Sequence, residues 1–401
     1  MISLGKEIQF WKGRSFVKPK NAGRRTLVSA AVLGLIGLAL AALFVLAHPA
    51  QVSPGDMPEE YMEYEQAVVE QILSDSTEAD PVSENHYRGA QNVILRITTG
   101  QYAGQQMLAD NTVGPVYGNP VQTGDKVIVG LSTYADGTVR CYIYEYDRSA
   151  GLGLMLAAFF AVTVLVGGKV GAKSLLGLTL TVVALIWILL PLLLLGWPTI
   201  PTTFLIAVLV ACASFVLLGG VERKTVCACL GTLAGIALAT VFAMVCQRIV
   251  RIDGYRQEYT EALLQLRQTG ESGIGISGLL TAGVIISALG AVMDVAMSIS
   301  SAVEELKRVN PALSGPQLLK SGMNIGRDMV GTMTNTLILA ILGSGLGLIV
   351  YIYSLGLSPR QLMSSAFMSL EAISAVASSI GVMLAVPLTA VVCAFAYGKK
   401  E

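Results

Sequence analysis

Ala288-Leu-Gly-Ala-Val-Met-Asp294-Val-Ala-Met-Ser298-Ile-Ser-Ser301 places a carboxylate and several hydroxyls inside an otherwise apolar run, and Gly331-Thr332-Met-Thr-Asn335-Thr336 does the same further on. About 20 apolar residues cross a bilayer core, so both runs read as transmembrane helices. A carboxylate near the middle of a span costs roughly 2.5–3.5 kcal/mol, and is expected to face protein or water with a partner. On a helical wheel Ser287, Gly290, Asp294, Ser298, Ser301 and Glu305 share one narrow stripe at steps of three and four. Asp328, Thr332 and Asn335 form a similar stripe on the next span. Asp294 and Asn335 each lie six or seven residues from the cytoplasmic end of their helix, roughly 10 Å deep by helix rise. The segment between them is short, so the two helices are expected to be antiparallel neighbours whose stripes meet. An interhelical hydrogen bond worth about 0.6–2 kcal/mol would explain the pair. So would a site for a cation, a proton or a polar solute, and the serines on either side of Asp294 favour that second reading. The binding candidates are Asp294, Ser298, Ser301, Thr332 and Asn335, with Ser287, Arg327, Asp328 and Glu371 behind them.

The rest of the chain supplies a membrane frame for this pair. Of 401 residues, 53% are hydrophobic and 13% charged, and the mean hydropathy is +0.64. A soluble domain carries about 25% charged residues. Zero formal net charge gives no case for nucleic acid as a partner. The six cysteines do not suggest a disulfide framework. Cys227-Ala-Cys229 has no nearby His and reads as small packing residues rather than a metal or redox pair. His48 and His86 are isolated, and neither a metal nor a cofactor is implied.

In chain order, residues 1–25 are a basic tail and 26–47 an uncleaved signal anchor. The positive-inside rule puts the tail in the cytoplasm and residues 48–148 outside. That region holds 15 Asp and Glu against five Lys and Arg. Tyr61, Tyr64, Val68 and Ile72 recur at helical spacing and suggest a short amphipathic helix. Strands are expected at Val93–Thr98, Gln105–Asp110, Lys126–Tyr134 and Thr138–Tyr146, the last two joined by Ala135-Asp-Gly137 as a tight hairpin. A small β-barrel of the OB or SH3 type fits. Its Tyr142 and Tyr144 ladder is read as cross-strand packing before ligand stacking.

From residue 149 to 401 the chain is membrane domain. Spans are expected at 151–168, 174–195, 202–220, 225–246, 276–300, 329–354 and 376–396, which with the anchor makes eight. Loop charges alternate accordingly: Lys169, Lys173, Arg223, Lys224, Lys307, Arg308, Lys320, Arg327, Lys399 and Lys400 fall on the cytoplasmic side. The exception is 247–273, outside, with Arg248, Arg251, Arg256 and Arg267. It reads as an amphipathic surface helix with Tyr255, Tyr259, Leu263 and Leu266 on one stripe. Residues 361–396 are too long for one simple span. Either Gln361–Ser374 lies at the interface or the segment breaks near Ser378-Ser379, which leaves Glu371 interfacial or buried. Ser314-Gly-Pro-Gln317 is an N-cap signature expected to open a short helix that ends at Gly322. Gly231/Gly235, Gly322/Gly326 and Gly343/Gly347 have the spacing of close helix packing.

Asp294-Val-Ala-Met-Ser-Ile-Ser-Ser-Ala302, Ser321-Gly-Met-Asn-Ile-Gly-Arg-Asp328 and Gly331-Thr-Met-Thr-Asn-Thr-Leu-Ile-Leu-Ala340 resemble signature segments of the YibE/F family of bacterial integral membrane proteins. The resemblance implies a multi-span membrane protein, and the loop charges place it in a bacterial plasma membrane with both termini cytoplasmic. The resemblance implies no substrate. The expected fold is an all-α polytopic membrane protein with a small extracytoplasmic β-barrel-like domain after the first helix. The expected function is a transporter or permease for an ion or small polar solute, working through the stripe around Asp294. The alternative is a non-transporting accessory or scaffold protein whose outer β-domain docks a partner or cell-envelope component. The expected partners are the lipid bilayer and a homo-oligomer or another membrane subunit. An enzyme is not expected. Gly275-Ile-Ser-Gly278 is similar to the serine loop of rhomboid proteases, but no span holds a His to act as base for Ser277. No His-Glu-x-x-His motif and no Gly-rich phosphate loop with Lys is present.

Overall fold

The computed structural model describes residues 22–48, 61–134, 137–257, 259–270 and 272–398, with backbone only at 22–26 and 61. Most of the basic tail and the residues Ala135 and Asp136 of the expected hairpin lie outside the described residues. Two compact units are present. One holds a β-barrel and the first turns of the helix that follows it; the other holds the N-terminal helix and the helices from Val166 onward.

The barrel contains β1 (Tyr61–Asp75), β2 (Glu78–Ala79), β3 (Tyr87–Ile97), β4 (Gln106–Val113), β5 (Lys126–Thr133) and β6 (Val139–Tyr146). β1 pairs with both β5 and β3, β3 with β4, β5 with β6, and β4 with β6 in parallel. The five long strands thus close on themselves. The single parallel pair matches an OB-type barrel, since SH3-type barrels are antiparallel throughout. Alternation sets the core: Gln91, Val93, Leu95 and Ile97 point inward along β3. Ala67, Val69, Ala109, Val127, Val129, Leu131 and Cys141 meet them.

The amphipathic helix expected from Tyr61 to Ile72 is instead the first half of β1 and more. Tyr64, Val68 and Ile72 are spaced by four, which places residues on one face of a strand as well as of a helix. Pairing on both edges decides for the strand, with eight β1 residues in register against β5 and seven against β3.

In the helical unit α1 is Ala22–Ala47 and α2 is Ser149–Ala184, continued by a π turn (Leu185–Leu189) and the short α3 (Leu190–Leu194). Then follow α4 (Thr199–Gly219), α5 (Arg223–Val250), α6 (Thr260–Gln268), α7 (Leu279–Val309), α8 (Gly315–Ser344), α9 (Leu346–Ser354), α10 (Pro359–Met363) and α11 (Ala366–Gly398). Among the described residues six helical stretches are long and apolar enough to cross a membrane. The pair α8 and α9, bent by 60°, passes the same test jointly.

Ser149–Leu194 is a helical stretch of 46 residues made of two helices that meet at a kink at Gly168, where the sequence ends one expected span at 168 and opens the next at 174. By helix rise 46 residues reach ~69 Å in all, enough for two crossings of a ~30 Å hydrocarbon core. The kink residue Gly168 holds φ 55° and ψ −135°, a backbone conformation open essentially to glycine alone.

Three further expectations change. No break occurs at Ser378-Ser379, because α11 runs unbroken from Ala366 to Gly398 with both serines buried. The helix opened by Ser314 does not end at Gly322 but continues to Ser344. Gly322 lies where α8 presses on Ala390 and Val303, and a side chain there would meet both. The stripe from Tyr255 to Leu266 is not one helix. Tyr255 sits in a separate 3₁₀ turn, Tyr259 is exposed, and Leu263 turns into an apolar cluster with Ile274 and Ile276.

The main core joins α4, α5, α7, α8 and α11, and α11 is its centre. Gly231 and Gly235 on α5 receive Thr389 and Ala385 of α11, while Gly322 and Gly326 on α8 receive Ala390 and Val386. Gly343 and Gly347 have open space around them.

Candidate functional site

α7 carries its apolar residues at helical period. Val284, Ile285, Ala288, Val292, Val295, Ala296, Ile299 and Val303 are fully buried on one side. The opposite stripe of Gly283, Gly290, Asp294, Ser298 and Glu305 is exposed, and Ser287 and Ser301 are half-buried. The chain's own helices therefore leave Asp294 uncovered. No hydrogen bond or ion pair reaches it among the described residues.

Thr332, Asn335, Arg327 and Asp328 are likewise exposed on α8. The Thr332 hydroxyl donates to the Met329 carbonyl at 3.0 Å, and that of Thr336 to the Thr332 carbonyl at 2.9 Å. No hydrogen bond joins Asp294 to Asn335 among the described residues. The two polar stripes are both outward faces of the bundle, and the structure does not bond them to each other.

A different partnership emerges at Ser287. Its hydroxyl lies 2.6 Å from that of Ser378 on α11. α7 and α11 run parallel. At one end Leu280 clusters with Leu370 and Ile373. At the other the Tyr397 hydroxyl donates to Glu304 at 3.1 Å. Glu371 lies seven residues before Ser378, and Asp294 seven residues after Ser287. By helix rise each acid stands ~10 Å along the helix from the serine pair, in opposite directions. Ser374, half-buried, lies between Glu371 and Ser378.

Glu371 itself is half-buried at the bend between α8 and α9. It lines a cavity of about 470 Å³ with Ser344, Gly345, Gly347, Leu348 and Tyr351.

Sequence reasoning passed over Glu304. The Lys224 ammonium on α5 sits 3.1 Å from it and 3.3 Å from Glu222. It also passed over the link between Gln247 and Thr281, whose side chains bond at 2.7 Å across α5 and α7. Both join segments far apart in the chain, which no local pattern announces. Cys227 and Cys229 pack inside the bundle, and the Cys229 thiol lies 3.1 Å from that of Cys212. Among the described residues no group of three or more His, Cys, Asp or Glu could hold a metal ion.

Neither the curated proteins nor the solved structures yield a match to the chain. The family profile of YibE/F-like proteins matches residues 155–399. That stretch takes in α4 to α11, with Asp294, the Ser287–Ser378 pair and Glu371, and its long apolar helices are those of a membrane protein. The chain belongs to the YibE/F family.

Proposed function

We propose that the chain is a permease that moves an ion or small polar solute along a polar line on α7 and α11. The line runs through Glu371, Ser374, Ser378, Ser287, Asp294 and Ser298. One relationship carries the reading: two acids stand on either side of the Ser287–Ser378 hydroxyl pair along parallel helices. A carboxylate exposed to hydrocarbon is unfavourable by roughly 2.5–3.5 kcal/mol. Water, or a second protein subunit laid against this face, removes that cost. Thr332 and Asn335 would line the same covered space. A pair of serines serving only as glue would need no acid at either end.

The test is flux into proteoliposomes holding the full chain, read with cation-sensitive dyes and with osmotic swelling for neutral solutes. Wild-type flux above empty liposomes is expected, with loss in Asp294→Asn and in Glu371→Gln at unchanged expression and melting temperature. Wild-type flux equal to empty liposomes, or an undiminished Asp294→Asn, defeats the reading.

A second reading keeps the helices as an anchor and gives the work to the barrel, which would dock a partner or envelope component. It is favoured by Tyr64 and Tyr144, which are 52% and 58% exposed with ring centroids 5.1 Å apart. Barrel-deleted protein that retains flux would set this second reading aside. Under both readings we place the chain in a bacterial plasma membrane with its termini cytoplasmic and the barrel outside, on the strength of the loop charges. Cysteines introduced at Asp136 and Ser314 test that: only the first should react with an impermeant reagent in intact cells.

A further inference from the structure

The end of the bundle where α5 stops and α7 starts holds a second polar feature, separate from the line through Asp294. Gln247, Arg248, Arg251, Asp253, Arg256 and Ser277 line a cavity of about 560 Å³. That volume falls within the ~300–1,000 Å³ of small-ligand pockets. Three arginines line it, two from the end of one helix and one from the turn that follows. Arg248 belongs to the last turn of α5, Arg251 caps that helix, and Arg256 closes the 3₁₀ turn Gly254–Arg256.

The helix dipole accounts for one of them, since a cation in a last turn is favourable. It does not account for Arg256, which lies beyond the helix. Arg251 holds φ 56° and ψ 44° at the helix cap, a left-handed conformation that glycine takes at no cost and arginine does not. Among the described residues none of the three is in an ion pair. Asp253, the acid on the cavity wall, turns its carboxylate back to accept from the Tyr255 backbone N–H at 3.2 Å. Glu258, nearby in sequence, lies outside the described residues. The cavity wall also offers neutral donors: the Ser277 hydroxyl, which is exposed, and Gln247, whose amide is held by Thr281. The positive-inside rule explains the basic residues at the opposite end of these helices and cannot explain a cluster at this end as well.

We infer that this cavity binds a phosphate-class anion, either as free inorganic phosphate or as the headgroup of an anionic phospholipid. Arginine's planar fork matches phosphate oxygens in pairs, and three arginines lining one pocket suit a multiply charged oxyanion better than chloride.

The experiment uses the full chain purified in neutral detergent, and its melting temperature is the readout. One arm adds sodium phosphate against sodium chloride at equal ionic strength. The other compares nanodiscs of phosphatidylcholine alone with nanodiscs containing phosphatidylglycerol. Stabilisation by phosphate identifies the free anion, and stabilisation by phosphatidylglycerol alone identifies the headgroup. In either case Arg256→Gln is expected to weaken the effect about tenfold in the concentration required, the loss of one charge-assisted pair. The triple variant Arg248→Gln, Arg251→Gln, Arg256→Gln is expected to abolish it. Arg267→Gln, outside the cavity, is the control that should respond as wild type. Should the triple variant fail to fold, Arg256→Gln and Arg267→Gln still decide. No shift of the wild type in either arm, or an equal shift in Arg256→Gln and Arg267→Gln, overturns the proposal. Asp294→Asn is expected to respond as wild type, so this site and the permease reading fail separately.

Discussion

The Ser287 and Ser378 hydroxyls meet at 2.6 Å across two parallel helices, 91 residues apart in the chain. Both side chains are small, so replacement by alanine removes the bond while barely altering volume. Interhelical hydrogen bonds of this kind are worth about 0.6 kcal/mol on average and at most about 1.7 kcal/mol. Ser287→Ala and Ser378→Ala should each destabilise by that order, and the double variant by less than their sum. A double-mutant cycle on unfolding in mixed micelles checks this; coupling indistinguishable from zero would mean that the bond does not form.

Two glycine pairs of equal spacing should behave in opposite ways. At Gly326 an added methyl would press on Val386 and on the Ile299 side chain. Overpacking of that kind costs about 1–3 kcal/mol, so Gly326→Ala should lower the melting temperature of the full chain. Gly343 has nothing within 4 Å. Gly343→Ala should leave the melting temperature unchanged or raise it, since alanine gains up to ~1 kcal/mol over glycine inside a helix. Equal losses at the two positions would contradict the packing.

The barrel should show an acid-sensitive stability and a silent thiol. Hydrogen bonds from the Thr77 hydroxyl and backbone N–H hold the Asp75 carboxyl below the usual carboxylate range. Those from Ser149 do the same for Asp147. A group whose folded value is depressed stabilises above its unfolded value, ~3.9 for Asp, and loses that contribution as pH falls through the folded value. Stability of a fragment spanning 61–150 should therefore be flat through neutral pH and decline below about pH 4. Asp75→Asn should flatten the decline. In the same fragment burial, with Asp110 nearby, pushes the Cys141 thiol up to about 12. Iodoacetamide at pH 8 should label it only after unfolding. Rapid labelling of the folded fragment would show the core to be open.

What could be read from sequence follows from the range of the forces involved. β3 to β6 announce themselves because alternation is local: Val93, Leu95 and Ile97 face in while their neighbours face out. β1 was misread because spacing by four satisfies a strand and a helix alike, and only the pairing edges contributed by β3 and β5 break the tie. The stripe on α7 was legible residue by residue, since a helix repeats every few positions. Its orientation was not. Whether Asp294 meets Asn335 or looks outward depends on how α4, α7 and α8 roll against one another. That roll is fixed by glycine contacts such as Gly326 with Val386, between positions distant in sequence. The same limit hid Ser378 as the partner of Ser287. It also made the arginines at the end of α5 look like one amphipathic helix, where three backbone segments converge.

The glycine clefts on α5 and α8 have a consequence for the order in which the protein is made. Both are filled by the same stretch of α11, Gly381 to Ala390, which leaves the ribosome after every helix it joins. Until then only α7 reaches into these notches, through Val292 at Gly235, Val303 at Gly322 and Ile299 at Gly326. A nascent chain that has released α8 but not α11 thus lacks the Thr389, Ala385, Ala390 and Val386 contacts that fill Gly231, Gly235, Gly322 and Gly326. Insertion of α11 is then a closing event that locks earlier helices rather than an addition at the edge. A ribosome pausing between α8 and α11 would lengthen the life of that open intermediate, and quality-control proteases would meet it there.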